Sequence, residues 1–128
     1  MANILLIDDD PDIRDALGDL LSAGGHGVET ASDGEAALEK FAGRAFDVVI
    51  ADIFMPGEDG IGTIRKIRDQ DPFVGIVAIS GGNKSAGYDV LRMSVELGAD
   101  FGLPKPIPGA ALLAAVSDAD GLRRLRCA

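Results

Sequence analysis

The sequence predicts an α/β domain: a doubly wound, five-stranded parallel sheet covered on both faces by five helices. Three observations lead there. Short apolar runs of strand length recur along the chain, at Ile4 to Ile7, Gly27 to Ala31, Val48 to Ala51, Gly75 to Ile79 and Asp100 to Leu103. Each is followed by a segment of helical periodicity, and that alternation requires parallel pairing through right-handed crossovers, which place helices on both faces in a three-layer sandwich. Finally, 128 residues with 47% apolar content suffice for one core and not for two. Residues 1 to 128 are expected to form one domain, with no second, output domain.

The first strand, Ile4 to Ile7, is wholly apolar, as a strand buried on both faces should be. A helix from Pro11 to Ala23 follows, with Asp10 as N-cap, Pro11 at the first helical position, and Ile13, Leu17, Leu20 and Leu21 on one face. His26 lies in the turn Gly24-Gly25-His26-Gly27 and is expected to be a solvent-exposed loop residue with no ligand role. The second helix spans Asp33 to Phe41, and the third Ile61 to Arg68 with Ile64 and Ile67 directed inward. Ser85 to Leu97 carries the fourth helix and Pro108 to about Ala119 the fifth. Arg123, Arg124 and Arg126 are expected to be a solvated helix terminus, favourable to the helix dipole.

Composition excludes several classes. No apolar run approaches the ~20 residues of a membrane span, and no basic segment precedes the first strand, so a soluble, cytoplasmic protein is expected. With Cys127 as the single cysteine, a disulfide framework and a multi-cysteine metal site are both ruled out. A net charge of −9 argues against nucleic acid or anionic lipid as a direct partner. Proteins and cations suit such a surface better.

In an open parallel sheet, ligands bind in the crevice beyond the carboxyl ends of the strands. Asp8, Asp9 and Asp10 follow the first strand, Asp52 the third, Ser80 with Gly81 and Gly82 the fourth, and Lys105 the fifth, between Pro104 and Pro106. Singly, each has an ordinary explanation: a cap, a loop start, a turn, a solvated lysine. A cap accounts for Asp10 but leaves Asp8 and Asp9 adjacent and without a local partner. Together, at corresponding strand ends, these residues are a candidate site. Clustered carboxylates repel one another unless a cation relieves them, and Mg²⁺, with its preference for oxygen ligands, is the natural relief.

At this point the chain resembles the receiver domain of two-component response regulators, the chemotaxis-regulator type. Four motifs carry the resemblance: the acidic pair in LLIDDDPDIR, the segment DVVIADIFMPGEDG, the Ser80-Gly81 turn in IVAISGG, and Lys105-Pro106 in GADFGLPKPI. The strand order 2-1-3-4-5 comes with the resemblance, being the known order of flavodoxin and the chemotaxis regulator. It also implies that Asp52 is the phosphoacceptor and that Mg²⁺ is bound directly by Asp9, through water by Asp8, and by Asp52 and the carbonyl of Phe54. Lys105 would share with the metal the charge on the phosphoryl group, Ser80 would hydrogen-bond it once attached, and Gly81 would leave room for it.

The implied donor is a histidine kinase or histidine phosphotransfer protein, and the implied output is contact with a downstream protein at the face of helix four, strand five and helix five. Such a chain is a switch in a phosphorelay and not a turnover enzyme. The alternative is a pseudo-receiver, an interaction module independent of phosphorylation. A flavodoxin-type cofactor carrier is disfavoured, because three aspartates after strand one would repel its phosphate.

The sequence departs from the family pattern in the output half. A Tyr or Phe commonly stands three residues before the lysine; here that residue is Gly102, with Phe101 one place earlier. Tyr88 is expected to be an exposed helix residue. Phe54 and Gly82, two residues after Asp52 and Ser80, have no side chain able to orient an attacking water. Any response to phosphorylation is therefore expected to run through residues 81 to 90 and the fourth helix.

Overall fold

The computed structural model describes residues 1–53, 60–81 and 91–128. Its elements are β1 (Asn3–Ile7), α1 (Pro11–Ala23), β2 (Gly27–Ala31), α2 (Gly34–Gly43), β3 (Val48–Asp52), α3 (Gly60–Gln70), β4 (Gly75–Ser80), α4 (described over 91–96), β5 (Phe101–Pro104) and α5 (Gly109–Cys127). The strands form one sheet in the order β2-β1-β3-β4-β5, all neighbours parallel. Among the described residues no helix is long and apolar enough to cross a membrane.

The central strands are apolar because both of their faces are covered. Leu5, Ile7, Val49, Ala51, Ile76 and Ala78 point to one side and pack with Phe41, Ile64, Ile67 and Leu91 from α2, α3 and α4. Ile4, Leu6, Val48, Ile50, Val77 and Ile79 point to the other and meet Leu21 of α1 and Leu112 and Val116 of α5. The alternation follows from the two-residue period of a strand. Each such valine, leucine, isoleucine or phenylalanine, once buried, contributes ~1.5–3 kcal/mol against exposure. Helix α1 starts as its sequence dictates: the Asp10 side chain accepts from Asp12 N and Pro11 opens the first turn.

Several boundaries move, each for a tertiary reason. Asp52 and Ser80 are the last residues of β3 and β4, since Asp52 pairs in register with Ile79 and Ser80 with Pro104. The expected fourth helix falls partly on residues 85–90, outside the described residues; the described part reaches Glu96. Strand β5 begins at Phe101, because Asp100 turns its carboxylate inward to accept Ile76 N at 2.9 Å.

The largest change is in α5, which runs to Cys127 and does not end near Ala119. Of its arginines, Arg124 stays exposed in the last turn as expected, whereas Arg123 and Arg126 are partly buried on acidic partners. Arg123 and Arg124 pair with Asp120 one turn back, and Arg126 joins Arg68 on the buried carboxylate of Asp100. Burial pushes the Arg68 guanidinium below its ordinary pKa despite the opposing pull of Asp100, whereas the bond to Asp100 raises that of Arg126. His26 is half-buried, and its Nδ1 accepts the Ala2 backbone N–H at 3.0 Å. It seats the start of β1 and is not a free loop histidine.

Candidate functional site

The parallel register brings the acids together. Ile7 stands opposite Ala51 across β1 and β3, so the next residue on each chain, Asp8 and Asp52, emerge side by side at the carboxyl edge. On the other flank, Ser80 pairs with Pro104, and the Lys105 N–H donates to the Ser80 carbonyl at 2.7 Å. A cis peptide joins Lys105 to Pro106. The Lys105 side chain then crosses the rim: Nζ lies 2.9 Å from Asp8 Oδ2 and 3.2 Å from Asp52 Oδ2. Residues 97 and 53 positions away in sequence thus share one ammonium.

Asp8, Asp52 and Ser80 are buried, while Asp9 faces solvent. Carboxylate oxygens of Asp8, Asp9 and Asp52 lie within 4.8 Å of one another. For Lys105, burial opposes the charged form, but the hydrogen bond it donates to Asp8 and the charges of Asp52 and Asp8 outweigh it and raise the ammonium above its ordinary value. One ammonium among three carboxylates leaves negative charge uncompensated. The donor set is all hard oxygen, with one carboxylate open to solvent, and it fits Mg²⁺ far better than a metal that prefers nitrogen or sulfur. Phe54, the expected carbonyl ligand, lies outside the described residues.

The sequence motifs therefore converge as expected for Asp8, Asp9, Asp52, Ser80 and Lys105. Ser80 Oγ donates locally, to the carbonyl of Gly81 at 3.2 Å. Gly60 supports the site from beneath. A β-carbon there would fall 2.3 Å from the Asp52 carbonyl oxygen, so α3 rests directly on the backbone of Asp52 and only glycine admits that approach.

Two residues escaped sequence reasoning. Arg14 Nη1 donates to the Asp8 carbonyl at 2.8 Å. The available signal was its isolation: it is the one Lys or Arg in residues 1–39, a stretch crowded with acids. Leu91 of α4 packs against Gly102, the place of the family aromatic, while Phe101 points to the opposite face and joins the α1/α5 cluster. Strand alternation from Gly102 foretells the orientation of Phe101, but nothing local foretells Leu91.

Among known families, the response regulator receiver domain matches residues 4–117. The chain is 36% identical over 117 residues to a transcriptional regulatory protein CpxR homolog of Haemophilus influenzae, covering 91% of this chain and 49% of that protein. It is 33% identical over 118 residues to the transcriptional regulatory protein FixJ of Bradyrhizobium diazoefficiens, covering 91% and 56%. The chain thus spans about half the length of the curated relatives it matches. Of solved structures, NtrX from Brucella abortus superposes with a TM-score of 0.91 at 31% identity, over 98% of this chain and 28% of that one. A response regulator receiver domain protein from Clostridium thermocellum superposes with a TM-score of 0.90 at 30% identity, over 98% of both chains.

Proposed function

The chain belongs to the response regulator receiver domain family of two-component signalling, and from that premise we propose that it accepts a phosphoryl group on Asp52, with Mg²⁺, in the cytoplasm. The donor is the phosphohistidine of a histidine kinase or phosphotransfer protein. The observation that carries this reading is the bridge of Lys105 Nζ between Asp8 and Asp52 at the carboxyl edge of the sheet.

The chemistry follows from what these residues can do. Strand β3 and the close contact with Gly60 hold Asp52 rigidly, so one carboxylate oxygen meets phosphorus in line with the departing nitrogen. The O–P bond forms as the P–N bond breaks; the imidazole leaves with the electron pair and takes a proton. Asp8, Asp9, Asp52 and the carbonyl of Phe54 would hold Mg²⁺, which when bound neutralises charge on the phosphoryl oxygens. Lys105 already lies within hydrogen-bond distance of Asp52 and would turn to a phosphoryl oxygen. Ser80 would exchange its bond to the Gly81 carbonyl for one to the phosphoryl group.

That exchange exists in one state only and so supplies the differential interaction a two-state shift requires. Output would pass to a protein docking on α4, β5 and α5, where Met93 is about half exposed. The chain would act as a switch and not as a turnover enzyme. Among the described residues no feature of the rim favours the pseudo-receiver alternative, since both acids, the lysine and the hydroxyl are in place.

Acetyl phosphate or phosphoramidate with Mg²⁺ should add one phosphoryl group to the intact mass, and Asp52→Asn should abolish the addition, because an amide is no nucleophile. An undiminished mass shift in Asp52→Asn would dismiss the assignment.

A further inference from the structure

We infer that Arg14 is a positioning residue for the acidic pair, acting on the metal site through the backbone between Asp8 and Asp9; the inference rests on the phosphoacceptor reading above. Asp8 is wholly buried and every polar atom it has is engaged. Its N–H donates to the Ala31 carbonyl at 3.2 Å, Oδ1 accepts from Asp10 N at 3.0 Å, Oδ2 accepts from Lys105, and its carbonyl accepts from Arg14 Nη1.

The last of these bonds differs in what it controls. The Asp8 carbonyl belongs to the peptide that joins Asp8 to Asp9, and the rotation of that plane sets the direction in which the Asp9 side chain leaves the chain. Asp9 has no means of fixing itself: it is exposed, and among the described residues no hydrogen bond or ion pair holds its carboxylate. Arg14, by contrast, is anchored, since its own N–H donates to the Asp10 carbonyl in the first turn of α1. A short path therefore runs from the cap of α1, through one guanidinium, to the peptide that aims the solvent-facing ligand.

A second role for Arg14 has the opposite sign. If it acted only by its charge, a cation near the acids would repel Mg²⁺, and removing it would tighten binding. If it positions the peptide, removing it loosens binding. Groups that orient metal ligands typically cost about 10- to 100-fold in metal affinity when lost. Arg14→Met should therefore weaken Mg²⁺ affinity by about 10-fold, measured by calorimetric titration of the unphosphorylated protein at fixed ionic strength. Arg14→Lys keeps the charge but not the planar fork, so it should also weaken binding, by a smaller factor.

Phosphorylation by phosphoramidate gives a further readout: the half-saturating Mg²⁺ concentration should rise in both variants while the rate at saturating Mg²⁺ is retained. Melting curves without metal establish that each variant is folded, and Arg14→Lys carries the test if Arg14→Met does not fold. Unchanged or tighter Mg²⁺ binding in folded Arg14→Met or Arg14→Lys, beside a wild type that binds, would overturn the role of Arg14 alone. A wild type that takes up no Mg²⁺ would overturn the phosphoacceptor reading beneath it.

Discussion

Leu91 of α4 lies directly over Gly102 of β5: a β-carbon on Gly102 would stand 3.1 Å from both Cβ and Cδ2 of Leu91. Gly102 pairs with Ala78 in the sheet, two residues before Ser80 on β4, so the contact sits on the same face as the Ser80 side chain. In place of an aromatic ring that turns, this chain seats α4 on the strand itself through a buried leucine.

The first consequence concerns packing. Gly102→Tyr should force Leu91 and α4 off the strand and cost about 1–3 kcal/mol, the usual range for overpacking. Urea denaturation reads the change directly. A tyrosine variant as stable as the parent would mean that the contact yields freely and does not hold α4.

The second concerns output. With no ring to rotate, movement of Ser80 toward the phosphoryl group should be passed on through residues 81 to 90 to α4. Amide hydrogen exchange with and without a beryllofluoride adduct at Asp52 should show added protection across 81 to 90. Equal protection there, with changes concentrated in α1, would move the partner surface away from α4, β5 and α5.

The two neighbouring acids should respond in opposite directions. Asp8 is buried and bonded to Lys105, so Asp8→Ala should destabilise the metal-free protein by about 1–3 kcal/mol. Asp9 is exposed and faces two like charges, so Asp9→Ala should leave the metal-free protein slightly more stable while weakening Mg²⁺ binding. Denaturation with and without Mg²⁺ separates these outcomes; a loss of metal-free stability in Asp9→Ala would contradict them.

Lys105 makes a prediction about alkaline pH. Its pKa is raised in the folded protein, so its contribution is fully present below the unfolded value of about 10.4 and is lost as pH rises through the higher folded value. Stability of the wild type should therefore fall more steeply above pH ~10.4 than that of Lys105→Met, in which the other titrating groups remain. Parallel pH profiles for the two proteins would refute the bridge as a source of stability.

The elements of this fold were legible locally. Short apolar runs of strand length, the Asp10 cap with Pro11 behind it, and inward residues such as Ile64 and Ile67 are properties of neighbouring positions, and the structure bears them out. So was the set of strand-end residues at the site, because a parallel sheet brings all of its carboxyl ends to one edge. What the sequence left open involved partners far apart along the chain. Lys105 bridges residues 97 and 53 positions away, Arg126 reaches Asp100 beyond the expected end of α5, Ala2 uses His26, and Leu91 fills the space over Gly102. Strand register and helix docking decide these contacts. A lysine, arginine or leucine has the same local signature whether it ends in solvent or on a buried partner, so only the assembled layers could tell them apart.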